Sequence, residues 1–303
     1  MPDNLRSDEH SIAIIGGDLR LIHLAILLSK QGVAVTVYGN HPTFYELTKE
    51  EESYYFTHIK TSDSLTAAIK NHPILILPTP ISKDGERIMT HTSVDTIMLS
   101  NFLSLLTHKP LVFGGAMSSK ITGFFQEHSI PYCDLMKIES VAIGNAIATA
   151  EGTILEAIKR SPINLHQSKS LVLGYGRCAQ ILAQKLKAMD AFVTVAARRP
   201  ESIAYANAYG FLTAKLPDIL SDLSEYDYIF NTVPVKLLSK EALETTRTDV
   251  TIIDIASAPG GVDFNAAKEL ERNAALCLAL PGIYAPKSSA EILLHAILDL
   301  IVS

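Results

Sequence analysis

The chain alternates short runs of β-branched and aliphatic residues with segments whose apolar residues recur at helical spacing. That alternation constrains the fold more than any other feature. Continuous apolar runs between turn residues read as strands buried on both faces, and the helices between them must cover those faces, so an α/β protein with parallel sheets is expected. Two such systems follow one another. The first opens at residues 11–15, turns at Gly16-Gly17 into a helix carrying Leu21, Leu24, Leu27 and Leu28, and returns as a strand at 34–38. Strands at 74–77 and 111–113, with helices at 94–106 and 120–126, complete a layer that reads as flavodoxin-like. A run without proline, 138–160, predicts one long helix leading into the second system. There, strands are expected at 170–173, 191–197, 228–231, 251–255 and 275–279, with helices at 177–189 and 288–302. The fold class predicted is therefore two doubly wound parallel-sheet domains. Residues 1–137 with 284–303 form a discontinuous substrate domain, and 138–283 form a Rossmann domain that binds NADP(H). The 303 residues suit two domains at a usual size of about 150 residues each.

The strongest chemical signal is Gly174-Tyr175-Gly176-Arg177-Cys178-Ala179, a GxGxxA sequence between an expected strand and an expected helix. The first glycine permits the tight turn, the second lets a pyrophosphate approach the backbone, and the alanine allows close helix packing. The plainer alternative is a structural glycine turn. Ala197-Arg198-Arg199 ends the next strand, and Arg198 lies 22 positions after Gly176. An acidic residue near that interval would bind a ribose 2′-hydroxyl, whereas arginine suits a 2′-phosphate, so NADP(H) is expected over NAD(H). Arginine capping a solvated strand end is the competing reading. Thr232, Val233 and Pro234 follow the strand that ends at Asn231 and are expected beside a nicotinamide ribose, unless the proline merely stops the strand. Ala256 follows the next strand, again at the carboxyl edge where such sheets bind ligands.

In the first system, the Gly17 amide, Arg20, Thr79 and Ser82 belong on the ligand side of the sheet, and Ser118, Ser119 and Lys120 open a helix. Guanidinium, hydroxyl and ammonium donors there could hold carboxylates. A charged helix surface for Arg20 and ordinary N-capping by Ser118 are the alternatives. Glu151, on the long helix, is a candidate proton acceptor against the plainer reading of a solvent-facing glutamate. No catalytic residue is assigned. The ten histidines are scattered without metal-ligand spacing, so no metal site is expected.

Composition excludes several classes. A net charge of −6 gives no basic field for nucleic acid. Three cysteines without a CxxC pair offer neither a disulfide framework nor a zinc site, which fits a reducing cytoplasm. Residues 1–10 are polar and do not read as a signal peptide, and no apolar run reaches the roughly 20 residues of a membrane span.

The GxGxxA unit, the NTVP tetrapeptide and the small residues leading to Val262-Asp263 resemble the nucleotide domain of D-2-hydroxyacid dehydrogenases. The chain departs from that family where a catalytic arginine and histidine belong, reading Ala256-Ser257-Ala258-Pro259 and Leu280-Pro281-Gly282-Ile283 instead, which disfavours simple hydroxyacid oxidation. IAIIGGDLR, ILPTPIS, AEGTI, LGYGRCA, NTVP and LPGIYAPKSSAEI together resemble the family of dipicolinate synthase A subunits over almost the entire chain. The resemblance implies an NADP-linked step that forms pyridine-2,6-dicarboxylate from 4-hydroxytetrahydrodipicolinate or dihydrodipicolinate in sporulation. It also implies a flavoprotein-like partner, the dipicolinate synthase B subunit. On this reading, Arg20, Thr79, Ser118, Ser119 and Lys287 face a dicarboxylate held in a cleft beside the nicotinamide. Two alternatives stand: a non-catalytic NADP-binding subunit that supports its partner, and another NADP-dependent reductase of a small carboxylic acid. Self-association into a homo-oligomer is open.

Overall fold

The computed structural model describes residues 11–91 and 96–302. The chain forms two compact units, one reaching to Gly144 and resuming at Ala285, the other spanning Asn145–Tyr284. In the first, β1 (Ile12–Ile15), α1 (Leu19–Lys30), β2 (Val35–Tyr38), α2 (Lys49–His58), β3 (Lys60–Thr61), α3 (Leu65–Lys70), β4 (Ile74–Ile76), α4 (Leu99–Ser104), β5 (Leu111–Gly114), α5 (Ser119–Glu127) and β6 (Tyr132–Asp134) succeed one another, and α6 (Glu139–Arg160) starts. The second contains β7 (Lys169–Leu173), α7 (Arg177–Ala188), β8 (Phe192–Ala197), α8 (Pro200–Ala208), β9 (Leu212–Lys215), β10 (Tyr228–Asn231), α9 (Lys240–Glu244), β11 (Thr251–Asp254), α10 (Phe264–Glu269), β12 (Asn273–Leu276) and α11 (Leu280–Tyr284). Helix α12 (Pro286–Val302) returns to the first unit.

Both sheets have six strands, ordered β3-β2-β1-β4-β5-β6 and β12-β11-β10-β7-β8-β9, and all their strand pairs are parallel. Each is the doubly wound order 3-2-1-4-5-6. Without its two-residue edge strand β3, the first sheet keeps the 2-1-3-4-5 order of flavodoxin-like layers. Central strands such as β1 are buried along their whole length because helices cover both faces. One face of the first sheet packs Leu24 and Leu28 of α1 against Leu293 and Ile297 of α12, while Phe102 and Phe125 cover the other.

In the second unit, Ala179, Leu182, Ala183 and Leu186 of α7 lie on Val172, Val193 and Val195. The small side chain of Ala179, fully buried, permits that approach. Leu182 is fully buried as well, so Leu182→Ala is expected to destabilise the protein by about 2–5 kcal/mol, measured by chemical denaturation.

Two expectations are corrected by pairing. Strand β12 lies at Asn273–Leu276 rather than 275–279, because its ladder with β11 ends at Asp254 opposite Leu276, and the Cys277 amide then turns onto the Asp254 carbonyl. Helix α4 starts only at Leu99, since Ile97 and Met98 are used in an antiparallel pairing with Ile88 and Arg87; Val94 lies outside the described residues. Helix α6 has 22 residues, with mean hydropathy 1.2 over its most apolar window, and is long and apolar enough to span a bilayer. More than half of that window is buried, with Val141 in the first unit's core and Ala150, Ile154 and Ala157 in the second's, while Ile143, Ile147, Leu155 and Ile158 of the same helix are exposed.

Candidate functional site

In the second unit the strand order reverses between β7 and β10, and the loops after these two strands meet there. Gly174 leaves β7 with φ +99, a conformation that favours glycine. A Cβ there would lie 2.5 Å from Thr232 Oγ1 and 2.9 Å from Val233 Cγ2. Thr232 Oγ1 also donates to the Leu173 carbonyl at 2.8 Å, tying the two loops together. Gly176 behaves oppositely: a Cβ would meet nothing within 4 Å, and the residue caps α7 with no side chain bonding to the helix's first amides. An open backbone approach at the positive end of a helix fits a pyrophosphate.

Beside this turn lies a cavity of about 290 Å3. Gly174, Tyr175, Gly176, Ala197, Arg198, Arg199 and Val233 line it, and all seven were expected from the sequence. Arg198 and Arg199 are exposed, while Ser202, one turn into α8, is buried at the same wall. Leu216, Pro217, Val235 and Leu237 supply apolar walls. Sequence reasoning missed Ser202 and these four. For Ser202 a signal existed, since the proline after Arg199 starts a helix whose first turn must carry it; the others come from segments far apart in sequence.

The remaining expected residues do not line the cavity. Arg177 and Cys178 belong to the first turn of α7, and burial pushes the Cys178 thiol above its ordinary range, which removes it as a nucleophile near neutral pH. Pro234 is exposed, and Ala256 is buried behind the loop. Tyr175 contributes to the cavity, but its ring packs edge-on to Phe211 and its hydroxyl is buried with no hydrogen-bond partner among the described residues. Tyr175→Phe removes an unsatisfied polar group without removing the ring. The change is expected to leave stability within about 1 kcal/mol of wild type or raise it, as read by calorimetry. Glu151 is solvent-facing and pairs with Lys185 at 2.8 Å, as the plainer reading had it.

The first unit repeats the strand order but not the open glycine turn. The Gly17 amide donates to the Met89 carbonyl at 2.7 Å, and a Cβ on Gly16 would lie 2.7 Å from the same oxygen. The expectation of a carboxylate at the Gly17 amide is therefore corrected: the strap through Met89 occupies it. Arg20 is 7% exposed and is already engaged. Its Nε and Nη2 donate to the Asp18 carboxylate at 2.7–3.1 Å, and Nη2 also donates to the Thr79 carbonyl at 2.7 Å.

Thr79, half-buried, packs so closely on Gly115 that a Cβ there would collide with its hydroxyl. Ser118 N-caps α5 through the Ile121 amide, and Ser119, next in the chain, is exposed. Ser82 bonds to Asp84, and Lys120 reaches the Gly85 carbonyl at 3.4 Å. Thus Arg20 and Thr79 are brought together, while Ser118 and Ser119 start helix α5. Lys287 is engaged elsewhere, on the Glu51 carboxylate at 3.3 Å.

Glu51 also completes the capping box of α2 with Thr48. Burial pushes its carboxyl up, but bonds from Thr48 and Lys287 outweigh this and hold it below its ordinary value. His23, 3.7 Å from Glu51, is depressed by burial below 6.5, and burial depresses His72 likewise. Both histidines therefore fold in their neutral form and bind protons more tightly when unfolded. Their contribution to stability is complete above pH 6.5 and is lost as pH falls through their lowered folded values. Thermal midpoints are expected to decline on acidification below pH 6.5, and His72→Gln should flatten that decline; an unchanged slope would show His72 uninvolved.

Residues 11–136 match the family described as the N-terminal domain of the dipicolinate synthase A subunit. Residues 145–274 match the NAD binding domain of D-isomer specific 2-hydroxyacid dehydrogenases, so the second unit is a nicotinamide-dinucleotide-binding domain of dehydrogenase type. The A subunit of dipicolinate synthase from Bacillus subtilis is 27% identical over 292 residues, covering 96% of this chain and 95% of the relative. The crystal structure of the dipicolinate synthase A subunit from Bacillus halodurans superposes with a TM-score of 0.86 at 25% identity, over 99% of this chain and all of that one. The crystal structure of the Bacillus subtilis counterpart gives 0.82 at 27% identity, over 99% and 98%. The tandem of matched domains and the end-to-end likeness in sequence and fold make this chain similar over its whole length to the dipicolinate synthase A subunits.

Proposed function

We propose that the chain is an NADP-dependent oxidoreductase subunit that forms dipicolinate from 4-hydroxytetrahydrodipicolinate or dihydrodipicolinate, in the cytoplasm of a sporulating cell. The observation that carries the coenzyme choice is the pair Arg198 and Arg199 with Ser202 on one wall of the cavity that Gly174 and Gly176 open. Two guanidinium groups and a hydroxyl at the end of β8 match a ribose 2′-phosphate, and among the described residues no carboxylate lines the cavity to favour an unphosphorylated ribose. The apolar walls of Leu216, Pro217, Val235 and Leu237 suit a purine face. We therefore assign Val233 and its loop to the adenosine end of the coenzyme, not to the nicotinamide ribose expected from the sequence.

Bound NADP+ would supply a hydride acceptor. Loss of water from the hydroxylated precursor gives a dihydropyridine, and loss of a hydride and a proton from that ring gives the aromatic dicarboxylate. Aromatisation drives this step, which lessens the need for a strong acid–base pair and accords with the absence of the dehydrogenase arginine and histidine at 256–261 and 280–284. The chain's own task is then to hold and orient. In the first unit Thr79, Ser118 and Ser119 retain hydroxyls for a carboxylate, Arg20 fixes the Thr79 segment, and Lys287 keeps two donors beyond the one that Glu51 accepts. Assembly with a second, different polypeptide, as the designation of the relatives as A subunits implies for them, is part of the same reading.

The test mixes the purified chain, alone and with the B subunit of dipicolinate synthase, with NADP+ and enzymatically generated 4-hydroxytetrahydrodipicolinate, following NADPH and dipicolinate together. Equal appearance of both from the chain alone is expected. Activity only with the partner would be the result of a supporting NADP-binding role or of a site shared with the partner. Coenzyme binding without dipicolinate in either mixture would refute the substrate assignment.

A further inference from the structure

We infer that Asp254, with Asn231, is a positioning residue for the coenzyme: one buried carboxylate holds both ends of the wall formed by Val233, Val235 and Leu237. The inference rests on the assignment of that cavity to the adenosine end of NADP(H). Asn231 ends β10 and Asp254 ends the adjacent β11, and both are fully buried. Asp254 Oδ1 accepts from Asn231 Nδ2 at 2.9 Å and from the Ala256 amide at 2.9 Å, and Oδ2 accepts from the Gly261 amide at 2.6 Å. All these donors are neutral groups.

Each acceptor atom leads to one end of the wall. Asn231, fixed by Oδ1, donates from Nδ2 to the Val233 carbonyl at 3.1 Å and accepts the Val233 amide on Oδ1 at 3.2 Å, so it clamps Val233 by both backbone groups. Gly261, fixed by Oδ2, offers its carbonyl to the amides of Leu237 and Leu238 at 2.9 and 3.0 Å. The loop cannot be held this way by bulkier residues. A Cβ on Gly260, at φ +87, would lie 2.6 Å from Asp254 Oδ2, and one on Gly261 would lie 2.6 and 2.7 Å from the carbonyls of Val233 and Val235. Asp254 does not line the cavity, so it acts through the wall and does not touch the ligand itself.

Asp254→Asn replaces one acceptor by a donor. With its amide nitrogen toward Gly261 it loses the Leu237 end of the wall; reversed, it confronts both Asn231 and Ala256. Asn231→Ser frees the Val233 end alone. NADPH and 2′,5′-ADP, the latter carrying only the adenosine end, are titrated into wild type and both variants at a temperature well below each variant's melting midpoint. Each variant is expected to bind both ligands about tenfold more weakly. A merely structural role would lower the midpoint but leave these affinities within twofold of wild type, which would overturn the inference. Weakened NADPH binding with unchanged 2′,5′-ADP binding would overturn it too. Should Asp254→Asn not fold, Asn231→Ser decides by the same titration. Wild type binding neither ligand would instead refute the coenzyme assignment beneath.

Discussion

Gly176→Asp is expected to abolish NADPH binding while the protein stays folded. Open space around the would-be Cβ means that the new side chain displaces nothing, and Gly176 lies outside the positive-φ region where only glycine is comfortable. The carboxylate would project at the mouth of α7, where the proposed coenzyme's pyrophosphate would approach the backbone. Two like charges within a few ångströms in a partly screened site repel by several kcal/mol, so the dissociation constant should rise by at least about 100-fold. Fluorescence titration of NADPH reads the affinity, and a thermal melt reads the fold. A melting midpoint close to wild type with binding lost is the expected pair of results. Retained binding would place the pyrophosphate elsewhere. Gly174→Ala differs in kind: the backbone is at φ +99 and Thr232 blocks the Cβ, so that variant should lose stability as well as affinity.

The paired substitution Arg198→Ala with Arg199→Ala is expected to reverse the coenzyme preference. Each charge-assisted bond to a phosphate contributes about 1.5–3 kcal/mol. Losing one or both should weaken NADP(H) by roughly 10- to 10,000-fold and leave NAD(H), which has no 2′-phosphate, nearly unchanged. Both arginines are exposed, so the change should cost little stability. Parallel titrations with NADPH and NADH, at more than one salt concentration, provide the measurement. A salt dependence present only for wild type with NADPH would locate the charge pairing; equal weakening of both coenzymes would show that the arginines shape the cavity and do not select the phosphate. Ser202→Ala in the same background shows whether the buried hydroxyl adds to that selection.

Much of this molecule is legible from its residues because the informative patterns are local. The GxGxxA turn, its flanking strand and helix and the arginines at the next strand end are short-range features, and Gly174, Tyr175, Gly176, Arg198 and Arg199 of that set line one cavity. The long helix α6 was readable for the same reason, being set by periodicity over a single segment. Short elements were not: β3 has two residues and α9 five, too few for a period to emerge, and they exist because neighbouring strands and cores hold them in place. Boundaries slipped where pairing decided them, as at β12 and α4.

Fold class, the succession of βα units and the position of the GxGxxA turn are set by the sequence alone, since propensity, hydrophobic period and glycine chemistry act over a few residues. Only the tertiary structure decided which of two similar glycine turns is open. Met89, more than seventy positions beyond Gly16, fills the first, while Gly176 faces free space. It also decided that Arg20 is bound to Asp18 and Thr79, and that Asn231 and Asp254 share a buried hydrogen-bond network. Those outcomes depend on which polar groups burial forces together across the fold, and burying one without a partner costs more than a turn propensity can offset.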